Sequence, residues 1–356
     1  MSRTLRIGGD SGYDVIIGRR LLDGCPIAAP EGASKVLVVS DSNVFPLYGE
    51  KTVKMLEGLG LEVSSFVFSA GEVNKNLNTY SRILDAAVSA GLTRRDLFAA
   101  LGGGVTGDLC GFAAATYLRG VRYIQIPTTL LAAVDSSVGG KTGIDLPGGK
   151  NLAGAFHRPC AVICDTATLD TLPDEQYRNG CAEIIKYGMI GSQEFLNRLE
   201  KMPVIDNYEE TIAFCVKMKL EFVEIDEFDV GCRMLLNFGH TFGHAAEKCS
   251  KFTLPHGFGV AIGMAAVTRA AVAQGICGAE VYDKLVSLLE KYNLPHECRF
   301  TLEEMLEAAS ADKKSDGKKI NLIVPDGPGS CRIMPVGKDK IADWMRLGGI
   351  KSEEED

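Results

Sequence analysis

Between Lys35 and Asp165, short apolar runs alternate with stretches of helical periodicity, and few architectures accept that pattern. Lys35-Val-Leu-Val-Val-Ser-Asp41 is apolar almost throughout, which suits a strand covered on both faces. A helical stretch to Gly60 follows, then a β-rich segment over residues 61–68. Residues 79–90 set Ile83, Leu84, Ala87 and Val88 along one helical face. Asp96-Leu-Phe-Ala-Ala-Leu101 is a second buried-strand run, and residues 122–126 and 161–165 read as further strands. Strands separated by helical crossovers pair in parallel, so the pattern predicts an α/β fold with a Rossmann-like, doubly wound sheet.

After Thr171-Leu-Pro173 the character changes. Helices are expected over 175–189, 208–227, 235–248, 257–273, 279–292 and 302–311. One hairpin signal interrupts them, at 320–324 and 331–334 around Pro325-Asp-Gly-Pro-Gly329. The chain has 356 residues, and single cores rarely grow past about 250–300. Two domains are therefore expected, 1–171 of α/β type and 172–356 mostly helical.

Charge and cysteine usage narrow the class. A net charge of −8 argues against nucleic acid as the main partner. The 11 cysteines are scattered without a C-x-x-C pair, which suits small buried hydrophobes in a reducing compartment. Met1–Tyr13 has no apolar core of signal-peptide type. The most apolar stretch, 257–278, carries Arg269 and Gln274 and reads as a buried helix, not a membrane span. A soluble cytoplasmic protein is the expectation.

Three segments carry chemistry. Leu101-Gly-Gly-Gly-Val-Thr-Gly-Asp108 follows a strand and opens a helix, where backbone N–H groups and the helix dipole favour a pyrophosphate. Its spacing is not G-x-G-x-x-G, so a tight turn between packed elements explains it almost as well. Gly139-Gly-Lys-Thr142 lacks the first glycine of a P-loop, although glycines around Lys141 and Lys150 suit an oxyanion. Of five histidines, three fall together: His240, His244 and His256. Spacing alone nominates His240 and His244, one turn apart on a helix, as a metal pair. Glu183 or Glu247 would complete an open site.

Taken together, Gly102-Gly-Gly-Val-Thr-Gly-Asp108, Ile126-Pro-Thr-Thr-Leu-Leu131, Val134-Asp-Ser-Ser-Val-Gly-Gly-Lys-Thr-Gly143, Gly149-Lys-Asn151, Ala182-Glu-Ile-Ile-Lys-Tyr-Gly188 and Leu236-Asn-Phe-Gly-His-Thr-Phe-Gly-His-Ala245 resemble the 3-dehydroquinate synthase family of sugar-phosphate cyclases. The resemblance implies NAD and one divalent metal, zinc or cobalt. It implies metal ligation by Glu183, His240 and His256, with His244 as a catalytic histidine beside them, which replaces the pair nominated by spacing. It carries NAD contacts onto Asp41, Glu72, Lys75, Gly103, Gly104, Val105, Asp108, Thr128, Thr129, Asp135, Lys141, Lys150 and Thr171. Around the substrate it places Asp135, Lys141, Lys150, Asn151, Lys186, Lys219, Arg233, Asn237 and Lys313 or Lys314. Arg119 matches an arginine that reaches a neighbouring subunit, which implies a homodimer.

The implied reaction converts 3-deoxy-D-arabino-heptulosonate 7-phosphate, a small sugar acid phosphate, to 3-dehydroquinate and phosphate. It proceeds by transient oxidation, elimination, re-reduction and intramolecular aldol closure. His256-Gly-Phe258-Gly259 departs from the commoner His-Gly-Glu-Ala and questions the packing beside His256. Rival readings are a 2-deoxy-scyllo-inosose synthase type, whose substrate has no carboxylate for Lys219 and Arg233, and a metal-dependent polyol dehydrogenase, which would release NADH.

Overall fold

The computed structural model describes residues 2–7, 12–24, 27–226, 231–310 and 319–353. The chain forms two units. The first comprises Met1–Pro173 with Tyr208–Leu220, and the second Asp174–Asn207 with Glu221–Asp356. The segment Tyr208–Leu220, assigned from the sequence to the helical part, thus groups with the α/β unit.

In the first unit the elements run β1 (Arg3–Ile7), β2 (Tyr13–Gly18), β3 (Lys35–Asp41), α1 (Phe45–Glu57), β4 (Glu62–Phe68), α2 (Leu77–Ser89), β5 (Leu97–Gly102), α3 (Gly104–Thr116), β6 (Arg122–Pro127), β7 (Lys141–Leu146), β8 (Gly149–Phe156) and β9 (Ala161–Asp165). The main sheet has the order β1-β2-β9-β6-β5-β3-β4. Every pairing in it is parallel except β1 with β2.

Alternation along the central strands explains why they read as unbroken apolar runs. Val36, Val38, Leu97, Ala99 and Leu101 enter one core, which also holds Met55 and Leu56 of α1. Leu37, Val39, Phe98 and Ala100 enter the opposite core, with Ile83 and Ala87 of α2 and Leu109, Ala113 and Ala114 of α3. Both faces of the sheet are covered, so neither register of a strand can be polar. Burying each Leu or Val there is worth about 1.5–3 kcal/mol.

From β3 the chain steps outward to β4 and returns on the other side of β3 as β5. This reversal of direction opens the crevice where doubly wound sheets bind ligands, beyond the carboxyl ends of the strands. Asp41 ends β3 and Gly102 ends β5, so the sheet topology brings both to that crevice.

The remaining elements are α4 (Asp174–Gly191), α5 (Gln193–Lys201), α6 (Tyr208–Ile225), α7 (His240–Cys249), α8 (His256–Ala273), α9 (Ala279–Lys291), α10 (Leu302–Ser310), β10 (Lys319–Gly327), β11 (Ser330–Gly337) and α11 (Ile341–Leu347). Helix α8 is the apolar stretch singled out in the sequence, and it is largely buried. Helices α4, α7, α9 and α11 pack against it.

Three expectations need correction. The helix expected over 235–248 is broken: Cys232–Asn237 is a 3-10 turn, Gly239 takes φ +80°, and α7 begins at His240. Asn237 therefore does not share a helix with His240. Only glycine adopts that left-handed angle without strain. Strands β1 and β2 and the hairpin β7–β8 are additions to the expected set; β1 and β8 are largely exposed and carry no apolar periodicity, whereas β2 is a short, mostly buried strand. Helices α5 and α11 are likewise additions to the expected set. Lys313 and Lys314 lie outside the described residues.

Candidate functional site

Three residues from separate stretches of the second unit meet at one point. Glu183 lies in the middle of α4 and is fully buried, and its carboxylate is ion-paired with Lys186 one turn on. Lys186 is itself buried. His240 opens α7 and His256 opens α8. His256 Nε2 lies 3.4 Å and His240 Nε2 3.8 Å from Glu183 Oε1. One ligand atom from each of these three residues falls within 4.8 Å of the others. Two imidazole nitrogens and one carboxylate oxygen are a donor set that fits a zinc- or cobalt-type ion of the three-protein-ligand kind. His244 adds a third ring, 5.2 Å from that of His240 and 5.9 Å from that of His256 between centroids, and it is exposed.

The hydrogen bonds behind the rings decide which nitrogen faces inward. His240 Nδ1 is 3.1 Å from the carbonyl of Phe238, an acceptor only, so that nitrogen carries the proton and Nε2 keeps its lone pair. His256 Nδ1 is 2.8 Å from Glu247 Oε1. Burial pushes the His240 pKa down to about 3. Burial opposes the charge on His256 too, but the carboxylates of Glu183 and Glu247 outweigh it and raise the pKa to about 10.

Close backbone approach holds these elements together. A Cβ at Gly243 would lie 2.7 Å from the carbonyl oxygen of Gly259, and one at Gly259 2.9 Å from that of Gly243. A Cβ at Gly263 would collide with the Gly239 carbonyl, and one at Gly257 with the backbone of Asn179 in α4. Glycines at those positions let α7 and α4 lie against α8 closely enough to bring their functional side chains together. At the departure noted in the sequence, Phe258 lies beneath the Arg178 guanidinium at 5.2 Å, which explains locally how an aromatic ring is accommodated. Arg233 is buried and its N–H donates to Asp226 Oδ2; Asn237 ends the same 3-10 turn.

In the first unit a second set of residues gathers near the carboxyl ends of β3 and β5. Gly103 caps α3 without a side-chain hydrogen bond, leaving the first N–H groups of the helix for a ligand. Val105 lies in that first turn. A Cβ on Gly103 would approach Thr129 Cγ2 at 3.0 Å. The Thr128 N–H donates to the Gly102 carbonyl. Asp41 Oδ1 accepts from the N–H groups of Asn43 and Val44, and its Oδ2 from Thr106 Oγ1 at 3.3 Å. Thr171 lies 2.6 Å from the Tyr48 hydroxyl.

Lys75 Nζ is 2.6 Å from both Asp108 Oδ2 and Asn151 Oδ1, and Lys150 Nζ is 3.9 Å from Glu72 Oε1. Burial raises the carboxyl pKa values of Asp108 and Glu72, with Lys75 opposing in each case. Burial would lower that of Lys75, but Asp108 and Glu72 reverse the sign. Lys219, in the part of α6 that belongs to this unit, contacts Asp135 twice: Oδ1 at 2.8 Å and the backbone carbonyl at 2.9 Å. Gly139 and Gly140, at φ +94° and +69°, turn the chain into β7, whose first residue is Lys141. Arg119 is exposed on a turn where Leu118, Arg119 and Gly120 all take positive φ.

Two residues take roles here that the sequence did not assign them. Asp145 anchors the loop, accepting from the Asn151 N–H through Oδ1 while its own N–H donates to the Lys75 carbonyl. Glu247, by its place in the sequence a candidate metal ligand, faces the far nitrogen of His256 instead.

Known proteins resemble this chain over most of its length. Models of the 3-dehydroquinate synthase N-terminal and C-terminal regions match residues 65–179 and 180–315. A 3-dehydroquinate synthase of Clostridium acetobutylicum is 42% identical over 349 residues, covering 95% of this chain and 98% of the relative. Among solved structures, a 2-deoxy-scyllo-inosose synthase complexed with carbaglucose-6-phosphate, NAD+ and Co2+ superposes with a TM-score of 0.87 at 26% identity, covering 97% of this chain and 99% of that one. A 2-epi-5-epi-valiolone synthase from Streptomyces hygroscopicus with NAD+ and Zn2+ bound gives 0.86 at 27%, covering 99% of each chain.

Proposed function

The chain belongs to the 3-dehydroquinate synthase family, and on that premise we propose that it converts 3-deoxy-D-arabino-heptulosonate 7-phosphate to 3-dehydroquinate and phosphate with NAD and a divalent metal. The observation that carries this reading is the convergence of Glu183, His240 and His256 in a chain of this family. Identity favours this reaction over the inosose synthase type, at 42% to the dehydroquinate synthase against 26% to the inosose synthase.

When bound, the metal supplies a Lewis acid for a substrate hydroxyl, and NAD supplies a reversible hydride acceptor. Glu183, His240 and His256 would hold the ion. The protons on His240 Nδ1 and His256 Nδ1 stay on the outer side of the rings, against Phe238 and Glu247. The open first turn of α3, with Asp41 and Thr128–Thr129, would hold the dinucleotide, joined by Glu72, Lys75, Val105, Asp108 and Thr171. Lys141, Lys150 and Asn151, with Lys313 or Lys314, would bind the phosphate. Lys219 and Arg233 would bind the carboxylate, Arg233 through its bidentate fork. Lys219 is already oriented by Asp135, and Lys186 by Glu183. Asn237 would bind substrate hydroxyls, and His244, the exposed ring, would exchange a proton with the substrate.

A cytoplasmic homodimer with Arg119 serving the neighbouring site completes the reading. It is supported by the exposure of Arg119 and by cysteines that, among the described residues, are all free thiols. The test is a coupled assay. Purified protein with NAD and zinc or cobalt is expected to release phosphate from the heptulosonate phosphate without net NADH. Stoichiometric NADH, or no phosphate, refutes it.

A further inference from the structure

His256 lies between two carboxylates, one facing each ring nitrogen. Nε2 is 3.4 Å from Glu183 Oε1, and Nδ1 is 2.8 Å from Glu247 Oε1. Glu247 comes from α7, its side chain is almost wholly buried, and His256 is the first residue of α8. A buried carboxylate in this position needs a strong donor, because burial otherwise penalises its charge heavily. The imidazole N–H provides one. His240 meets the same need differently, by donating Nδ1–H to the neutral carbonyl of Phe238. Both rings therefore carry a proton on Nδ1 and turn the same nitrogen toward Glu183, but only His256 has a carboxylate behind it.

From this geometry we infer that Glu247 is a positioning residue: it fixes the Nδ1–H tautomer and ring angle of His256, so that Nε2 is presented beside Glu183. An ionised acceptor also makes the imidazole a stronger electron donor at its other nitrogen, which strengthens a bond to a divalent ion. The glycines beside it are part of the device. A Cβ at Gly259 would come 3.1 Å from Glu247 Cγ, so the bare backbone there leaves the carboxylate its room. Glu247 could alternatively ligate an ion itself, since His244, Glu247 and His256 also bring ligand atoms within 4.8 Å of one another. The 2.8 Å separation of Nδ1 and Oε1 is that of a direct hydrogen bond and leaves no place for an ion between them.

This inference rests on the proposed metal reading, and the experiment separates the two. Zinc affinity is measured on the full chain by competition with a chromophoric chelator, and the absorption bands of bound Co2+ report ligand geometry. Glu183→Ala is expected to abolish stoichiometric binding; full metal content in that variant overturns the metal reading itself. Glu247→Ala is expected to weaken zinc binding about 10- to 100-fold and to shift the Co2+ bands. Glu247→Gln, which still offers an oxygen to Nδ1–H, is expected to bind one ion with bands close to those of the unaltered protein. Unchanged affinity and bands in Glu247→Ala, with Glu183→Ala metal-free, overturn the positioning role alone. Loss of the ion in Glu247→Gln also overturns it, by making Glu247 a ligand, and that variant decides the question if the alanine form does not fold.

Discussion

Replacing Asp96 with asparagine probes how the α/β unit is fastened at the end of the sheet opposite the glycine-rich turn. Asp96 is completely buried and precedes β5, and its hydrogen-bond donors among the described residues are all neutral. Oδ1 accepts from Ser34 N–H, Ser34 Oγ and Lys35 N–H at 3.0, 3.2 and 2.9 Å, and Oδ2 from Thr93 N–H and Oγ1, both at 2.7 Å. Burial works against the charge, but these donors, Thr93 foremost, prevail and lower the pKa from 3.8 to about 2.

The depressed value means that the folded chain binds this proton less readily than the unfolded one. The stabilisation is therefore present above about pH 4 and is lost as the pH falls through about 2. A difference of this size is worth about 2 kcal/mol, of which about 1 is gone by pH 3. In Asp96→Asn one of the two oxygens becomes an NH2 that faces at least two donors. Leaving those unsatisfied costs about 1–3 kcal/mol each, so a loss of about 2–6 kcal/mol is expected. Urea unfolding at pH 7, followed by the midpoint at constant slope, measures it. A loss below about 0.5 kcal/mol, or an equal acid sensitivity of variant and parent between pH 5 and 3, would refute the assignment of this stability to a multiply bonded carboxylate.

Other perturbations test the site. His256→Ala is expected to leave the purified protein without stoichiometric zinc by elemental analysis and without phosphate release, while its far-ultraviolet circular dichroism stays native. Gly263→Ala forces a methyl against the Gly239 carbonyl. The cost is about 1–3 kcal/mol, seen as a lower Tm, and weaker zinc binding should accompany it because His240 and His256 ride on the two helices. Lys219→Ala should raise KM for the substrate about 10- to 100-fold, the value of a lost charged hydrogen bond, without changing zinc content. An unchanged KM would remove Lys219 from the anion pocket.

Much of the fold was written locally. β3 and β5 announce themselves because both of their faces are buried, so nearly every side chain must be apolar. The hairpin β7–β8 does not, because pairing holds it and along β8 residues on both faces are exposed or half-buried, so no apolar alternation marks it. The start of α7 is hidden for a similar reason. Leu235 to His240 has helical composition, and only the packing that gives Gly239 its positive φ breaks the run.

The same division runs through the site. The residue types are legible in the sequence: a glycine-rich turn after a buried strand, lysines beside glycines, and three of five histidines in one short span. Spacing measures proximity along one helix, and it therefore pairs His240 with His244. The partners that converge are set by helices crossing at glycines, which bring Glu183 from α4 and His256 from α8 to His240. Local sequence determined which side chains can accept protons or bind ions. Only the tertiary packing decided which nitrogen of His256 faces Glu183, because that choice belongs to Glu247 on the neighbouring helix, whereas for His240 it is made locally by the Phe238 carbonyl two residues back.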